Sequence, residues 1–175
     1  MDTKTINTNS DAATMALGRR LAKLLKPGMV LALYGGLGAG KTVLSRGIAR
    51  GLGITELVTS PTFTVVQEYR RPDQTWFFHL DMYRITNEEA ALAFGIEDYL
   101  FADDGITVIE WPERIEGLLE APSDSAAVAD EASAAGNSVL PRLLQFELKH
   151  AGREQRQIRM PAVLGDVLGN ESLQN

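Results

Sequence analysis

Residues 29–52 read MVLALYGGLGAGKTVLSRGIARGL, and this stretch decides the fold class. Its first six residues, 29–34, form a continuous apolar run next to glycines, which is typical of a strand buried on both faces. A glycine-rich turn follows over residues 35–40. Beyond the turn, apolar side chains recur at helical spacing, at Leu44, Ile48 and Leu52. The order strand, glycine turn and helix predicts the opening of a parallel α/β unit.

The turn matches the phosphate-binding pattern G-x-x-x-x-G-K-[S/T] over residues 35–42. Glycines let the backbone curl until successive N–H groups point at phosphate oxygens, and the new helix adds its positive end. In this pattern Lys41 bridges the β- and γ-phosphates and the Thr42 hydroxyl ligates Mg²⁺. A glycine turn without a ligand is the alternative interpretation. The predicted nucleotide-binding residues of the loop are Gly35, Gly36, Leu37, Gly38, Ala39, Gly40, Lys41, Thr42 and Val43.

Two carboxylates are candidates for the metal side of such a site. A phosphate-binding loop works with an acidic residue that usually ends an apolar strand. Glu110 ends the apolar run GITVIE, and Asp81 lies in the β-rich segment TWFFHLDMY. We predict both as Mg²⁺ ligands together with Thr42. Each also has a simpler interpretation, Glu110 as a solvated strand end and Asp81 as a residue on the water-facing side of an antiparallel strand.

Three further features have two interpretations each. Thr62 follows the first helix of the α/β unit, where loops that sense the γ-phosphate occur in this class, but it is equally typical of a β-turn. Trp111, beside Glu110, either packs on a partner or fills the core. The arginines Arg153, Arg156 and Arg159 repeat with a period of three, which most simply marks a solvated face, with a phosphate contact by one of them as the alternative.

The rest of the chain supplies further helices and strands around this unit. Ser10 caps a predicted helix that closes at Lys26-Pro27-Gly28. Two β-rich segments, 62–70 and 75–83, are separated by four turn-forming residues and predict a hairpin. The other predicted elements are short helices at 87–94 and 96–101, a strand at 105–110, and strands at 143–149 and 155–160.

We expect one domain over residues 1–175. Residues 117–138 are rich in alanine and serine, bury little area, and are predicted to be a mobile surface insertion. Residues 161–175 form a tail that carries no structural signal.

Composition excludes several classes of protein. A net charge of −6 makes direct binding of nucleic acid by charge unfavourable. The absence of cysteine excludes disulfides and thiolate chemistry, and two histidines leave little material for a zinc enzyme. The chain has no apolar run near the ~20 residues that a membrane span needs, and its N-terminus lacks a signal peptide, so we expect a cytoplasmic protein without membrane contact.

The motifs in order resemble the TsaE (YjeE) family, small bacterial ATPases of tRNA threonylcarbamoyladenosine biosynthesis. The resemblance runs through LALYGGLGAGKT, SPTFTVVQEY, HLDMYR, VIEWPER and AGRE, and covers most of residues 14–160. It implies a P-loop NTPase-like α/β fold, a three-layer sandwich whose core sheet is largely parallel with added antiparallel strands. Two departures are visible: Gly36 stands where the family usually has Asp, and the 117–138 insertion replaces a short connection.

The resemblance also implies roles for individual residues. Lys41 and Thr42 would hold ATP and Mg²⁺, and Lys41, Asp81 and Glu110 would be the catalytic residues of hydrolysis. The resemblance implies a contact with ATP, or a place beside it, for four more positions: Thr14, Thr62, Trp111 and Arg153.

The implied partners are the protein subunits TsaB and TsaD. In their complex TsaD transfers the threonylcarbamoyl group to adenosine 37 of tRNAs reading codons that begin with A, so tRNA is met only indirectly. We expect weak hydrolysis by the isolated chain, because a partner often completes such sites. The alternatives are a small-molecule P-loop kinase, with arginines 153–159 as its lid, and a nucleotide-dependent binding module that never hydrolyses. A GTPase is disfavoured because the chain has no [NT]-K-x-D motif.

Overall fold

A computed structural model describes residues 2–119 and 140–170 and shows one seven-stranded sheet. The strand order is β1-β7-β6-β2-β5-β4-β3. The strands are β1 (Thr3–Thr8), β2 (Val30–Tyr34), β3 (Val66–Arg70), β4 (Trp76–Asp81), β5 (Gly105–Glu110), β6 (Leu143–His150) and β7 (Arg156–Pro161).

The four central strands, β6, β2, β5 and β4, are parallel, and the outer strands pair antiparallel. The apolar run of β2 is buried between two parallel neighbours, as its composition predicts. Parallel register brings strand ends together: Glu110 of β5 pairs with both Leu33 of β2 and Asp81 of β4. The two candidate carboxylates therefore lie side by side at the edge from which the phosphate-binding loop leaves the sheet.

Helices cover both faces of the sheet. The helices are α1 (Asp11–Ala22), α2 (Lys41–Gly51), α3 (Glu88–Leu92), α4 (Glu97–Leu100), α5 (Glu116–Leu119) and α6 (Ala162–Asn170), with one 3₁₀ turn at Pro112–Arg114. Buried side chains of α1, α2 and α6 form one apolar cluster with the sheet, and those of α3 and α4 form a second on the opposite face. This arrangement confirms the three-layer α/β fold with a largely parallel core.

Small residues let α1 and α2 pack closely, which positions the start of α2. A Cβ atom on Gly18 would lie 2.7 Å from the Leu44 carbonyl oxygen, and one on Gly47 would lie 2.4 Å from the Met15 carbonyl oxygen. Both distances are shorter than real Cβ contacts, so glycine is required at these helix positions despite its low helix propensity. Ser10 caps α1 as predicted, its hydroxyl accepting from the Ala13 N–H at 3.1 Å.

Two elements have no counterpart among the sequence predictions. Thr3–Thr8 forms the edge strand β1, which pairs with β7, and Ala162–Asn170 forms α6 within the predicted tail. Both depend on residues far away in the sequence, since β1 is hydrogen-bonded to β7 and α6 packs against β1. None of the helices within residues 2–119 and 140–170 is long and apolar enough to span a membrane.

Two predicted boundaries are wrong. The sequence predicts that the first helix closes at Lys26-Pro27-Gly28, but α1 ends at Ala22, because Lys23 and Leu24 donate to the carbonyl oxygens of Arg20 and Leu21 in a tighter turn. The first strand of the hairpin begins at Val66 rather than Thr62, because residues 62–65 form a turn that ends at Val65 with φ 67°. The hairpin itself is confirmed, with Arg70 opposite Trp76. Most of the predicted 117–138 insertion lies outside the described residues, so it stays a prediction, as does the single-domain assignment.

Candidate functional site

A cavity of about 400 Å³ opens at the carboxyl ends of the parallel strands. Most residues predicted for nucleotide or metal binding line it: Leu37, Gly38, Ala39, Gly40, Lys41, Thr42, Val43, Thr62, Asp81, Glu110 and Trp111. Gly35 and Gly36 begin the loop and line a neighbouring cavity of about 660 Å³. The structure adds four residues to the lining of the first cavity: Asp11, Ser60, Tyr83 and Arg156.

The phosphate-binding loop depends on glycine at three positions. Gly35, Gly38 and Gly40 have φ of 143°, 74° and 99°, in the left-handed region that other residues rarely adopt. Gly40 is followed directly by α2, an eleven-residue helix whose N-terminus faces the cavity. Backbone N–H groups and the positive end of the helix therefore converge on one concave surface, which suits an anion.

Lys41 is held inside this loop. Its ammonium group donates to the carbonyl oxygens of Gly35 at 2.5 Å and Gly36 at 3.0 Å, and lies 3.7 Å from the ring centre of Trp111. Burial lowers the pKa of Lys41 below its ordinary value, and the nearby carboxylates of Glu110, Glu113 and Asp81 oppose that shift. Burial disfavours the charged form of Lys41. An anion such as a phosphate that enters the cavity would therefore be stabilised by this ammonium group and would stabilise its charge in turn.

Glu110 is the centre of a buried hydrogen-bond network. Its Oε2 accepts from the Thr42 hydroxyl at 2.9 Å, and its Oε1 lies 2.8 Å from His79 Nε2 and 3.4 Å from the Ser45 hydroxyl. Only 3% of Glu110 and none of His79 is exposed, so the simpler interpretation of Glu110 as a solvated strand end is wrong. We call Thr42, Ser45, His79 and Glu110 the Glu110 cluster.

Asp81 organises a second group of polar side chains. Its Oδ2 accepts from the hydroxyls of Ser60 at 2.5 Å and Thr62 at 2.7 Å, and its Oδ1 accepts from the Tyr83 N–H at 3.0 Å. Asp81 is 2% exposed, so it does not face open water as a simple alternating strand would suggest. We call Ser60, Thr62 and Asp81 the Asp81 cluster.

The structure does not bring Thr14 and Arg153 to the cavity. The Thr14 hydroxyl is buried against the Thr8 hydroxyl at 2.8 Å and the Ser10 carbonyl oxygen at 3.0 Å, so it supports the start of α1. Arg153 is exposed in the turn between β6 and β7. Arg156, which the sequence indicates only as one of three arginines that could reach a phosphate, lines the cavity in place of Arg153, and a Cβ atom on Gly40 would lie 2.4 Å from its Nε.

Two contacts and its position in β7 hold Arg156 at the cavity. It forms an ion pair with Asp11, and it donates to the Glu154 carbonyl oxygen at 3.1 Å. Alternation along β7 puts Arg156 on the buried face with Ile158 and Met160. That alternation, rather than the period of three, is the sequence signal that distinguishes Arg156 from Arg153. A third cavity, of about 610 Å³, is also lined by Arg156, together with Thr8 and Ala13.

The donors of this site fit Mg²⁺. The Thr42 hydroxyl and the carboxylates of Glu110 and Asp81 offer oxygen atoms, which Mg²⁺ prefers. Over residues 2–119 and 140–170, no group of three or more His, Cys, Asp or Glu side chains is arranged to hold a metal. Mg²⁺ is commonly bound through one or two carboxylates together with substrate phosphates, and this set of oxygen donors is compatible with that mode of binding.

Comparisons with known proteins cover the whole of this site. The family model of the threonylcarbamoyl adenosine biosynthesis protein TsaE matches residues 8–156, a range that contains every residue of the cavity lining named above. The tRNA threonylcarbamoyladenosine biosynthesis protein TsaE of Bacillus subtilis (strain 168) is 37% identical over 150 residues, covering 86% of this chain and 80% of that protein.

Two further relatives are similar over large parts of the chain. The Synechocystis protein of the same name is 46% identical over 109 residues, covering 61% of this chain and 68% of the relative. The crystal structure of Bacillus subtilis YdiB superposes with a TM-score of 0.68 at 29% identity, and the match covers 97% of this chain and 95% of that one. The similarity thus extends from sequence motifs to the fold.

Proposed function

The chain belongs to the TsaE family, and we propose from this premise that it is a Mg²⁺-dependent ATPase that serves the formation of threonylcarbamoyladenosine in tRNA. One observation carries the nucleotide part of the proposal. The phosphate-binding loop, the Lys41 ammonium group and the hydrogen-bonded pair of Thr42 and Glu110 all meet in one cavity. Phosphate binding by loop and lysine, with a metal held beside them, is the arrangement that phosphoryl transfer needs.

Each group of the cavity has a task in this proposal. The loop N–H groups and Lys41 bind the phosphates, with Lys41 exchanging its two carbonyl acceptors for phosphate oxygens. Thr42 and Glu110 would hold Mg²⁺, which when bound neutralises charge on the transferred phosphate. Asp81 orients the attacking water, and the Thr62 hydroxyl lies beside it at the γ-phosphate end of the cavity.

Arg156 lines both the loop cavity and the adjoining 610 Å³ cavity. If the nucleoside end of ATP extends from the loop cavity into the adjoining one, Arg156 would contact the nucleotide between its phosphates and its base. Thr14, which lies outside the loop cavity, then acts indirectly, because its hydroxyl holds Thr8, which lines the adjoining cavity. Arg153 is exposed in the turn between β6 and β7 and has no role in this proposal.

The proposed partners are TsaB and TsaD, with tRNA bound by them and not by this acidic chain. A net charge of −6 is unfavourable for gripping a phosphate backbone. We also propose a cytoplasmic location, which is compatible with a role in tRNA modification. Of the three arginines that the kinase alternative needs as a lid, Arg156 lines the cavity, whereas Arg153 is exposed and Arg159 is exposed and paired with Glu147 at 2.5 Å, which favours the ATPase proposal.

The test is to deplete the protein in its host and quantify threonylcarbamoyladenosine in hydrolysed bulk tRNA by mass spectrometry. We expect the level to fall, to be restored by the wild-type protein, and not to be restored by Lys41→Ala. Lys23→Ala, which removes an exposed lysine from the end of α1, is the matched control and should restore it. An unchanged level after depletion would contradict the proposal.

A further inference from the structure

His79 is a buried titratable side chain that the proposed mechanism does not use. It lies in β4, two residues before Asp81, with 0% of its surface exposed. It is not among the described residues that line the cavity, and Glu110 lies between its ring and the cavity. A polar side chain at this depth is costly unless it is hydrogen-bonded, and its partner is Glu110.

The hydrogen bond between them has a defined direction. His79 Nε2 lies 2.8 Å from Glu110 Oε1, while Nδ1 is buried with no partner among the described residues. A proton on Nδ1 would leave an unpaired buried donor, whereas a proton on Nε2 faces a carboxylate oxygen. We therefore assign the proton to Nε2, which donates to Glu110.

The other contacts of Glu110 show what this bond does. Thr42 donates to Oε2, and the second contact on Oε1 is the long 3.4 Å approach of Ser45, whose hydroxyl already donates to the Lys41 carbonyl oxygen at 3.0 Å. His79 is thus the strong donor to Oε1. With both oxygens held, the carboxylate cannot turn about its terminal bond, and Oε2 stays beside Thr42.

We propose that His79 is a positioning residue: it fixes the orientation of the Glu110 carboxylate so that Glu110 and Thr42 present a preformed pair of oxygens to nucleotide-bound Mg²⁺. This proposal rests on the proposed function of the site. Mg²⁺ demands near-ideal geometry and dehydrates reluctantly, so a carboxylate that rotates is a poor ligand. Partners behind a metal ligand commonly contribute 10- to 100-fold, as an order of magnitude, to metal affinity.

The backbone holds His79 firmly enough for this task. It is in the middle of β4, paired with Val108 of β5 on one side and Gln67 of β3 on the other. Its ring packs beside Phe77, with ring centres 6.3 Å apart. The donor therefore comes from the rigid sheet and not from a loop, which suits a residue that must keep a second side chain in place.

The experiment compares two amides of different reach at this position. In His79→Gln the amide nitrogen replaces Nε2 and can donate to Glu110, whereas in His79→Asn it replaces Nδ1 and stops short. Dissociation constants of a fluorescent ATP analogue are measured with EDTA and across a Mg²⁺ titration. We expect all variants to match the wild type in EDTA, His79→Asn to need about 10- to 100-fold more Mg²⁺, and His79→Gln to stay within about threefold.

Ser45→Ala is the control, because it removes only the long contact on the same oxygen and should leave the Mg²⁺ titration unchanged. A His79→Asn protein with a wild-type Mg²⁺ titration would overturn the inference. So would an equal loss of affinity in EDTA and in Mg²⁺, which indicates a general structural role. Failure of the wild type to bind the ATP analogue at all would instead overturn the proposed function.

Discussion

The two carboxylate clusters of the cavity occupy equivalent places and are built differently. Asp81 and Glu110 are register partners at the ends of neighbouring parallel strands, and both are almost fully buried. The partners of Glu110 come from regular structure, α2 and β4, whereas two partners of Asp81, Ser60 and Thr62, come from the connection between α2 and β3. The Glu110 carboxylate is thus held by a helix and a strand, whereas the Asp81 carboxylate holds a loop.

This difference suggests separate tasks for the two clusters. A ligand held by helix and strand is preorganised for a metal, while a loop tied by two hydroxyl bonds can rearrange when a phosphate arrives. The backbone of this loop is strained at Val65, whose φ of 67° is unfavourable for a β-branched residue. The loop also exposes a large apolar side chain, since Phe63 is 81% exposed. We therefore propose that Thr42 and Glu110 hold the metal and that the Asp81 cluster senses the γ-phosphate.

Removing the lysine that both clusters face should have the largest effect. Lys41→Ala deletes the cation of the phosphate-binding loop, and we expect ATP binding to weaken by about 100-fold. Isothermal titration calorimetry with Mg²⁺ and ATP measures it, with Lys23→Ala as the exposed control. Wild-type affinity in Lys41→Ala would mean that the cavity is not the phosphate site.

Glu110→Gln tests the role of the Glu110 cluster. The isosteric amide removes the charge, so the Mg²⁺ requirement for ATP binding should rise by up to about 100-fold while binding in EDTA is unchanged. Thermal melting shows whether the variant is folded. If Asp81→Asn raised the Mg²⁺ requirement equally, the division of tasks between the clusters would be wrong.

Asp81→Asn tests the loop side. An amide can accept from Ser60 or Thr62 less strongly than a carboxylate, so we expect faster hydrogen exchange over residues 60–65. ATP turnover by the complex with TsaB and TsaD should fall by about 10- to 100-fold because the loop is misplaced. Glu110→Gln, assayed in parallel, should leave the exchange rate of this loop at its wild-type value.

A matched pair of arginines tests the nucleoside side of the cavity, away from both clusters. Arg156→Ala should weaken ATP binding by about 10-fold, because it removes a buried guanidinium group from the lining of the loop cavity. Arg153→Ala removes an exposed guanidinium three residues earlier and should bind ATP as the wild type does. The reverse order of effects would return the role to Arg153, as the family resemblance implies.

The smallest effect concerns the pH dependence of stability. Because burial lowers the pKa of Lys41 below its ordinary value of 10.5, the unfolded chain binds more protons than the folded one in the window just below 10.5. The contribution of Lys41 to folding stability should therefore increase as the pH rises through that window. Melting temperatures of the nucleotide-free wild type should rise relative to those of Lys41→Met between neutral pH and 10.5, and parallel curves would contradict this.

Local patterns in the sequence determined the centre of the molecule. Glycines at fixed spacing specify the loop because only glycine tolerates the positive φ values found there, and the apolar periods of β2 and α2 are readable from side chains alone. The same holds for Glu110, since an apolar strand that ends in a carboxylate is a local pattern. These features can be predicted without knowing how the rest of the chain folds.

Which polar side chains meet depends on how the strands and helices pack in three dimensions. Arg156 reaches the loop because β7 follows β6 beside the parallel core, and His79 reaches Glu110 because β4 pairs in register with β5. β1 forms because β7 offers it an edge. Each of these contacts joins residues tens of positions apart, and their free energy exists only after the chain has closed the intervening loops. A local period can therefore show which face of a strand a residue such as Arg156 takes, but not which side chain it meets.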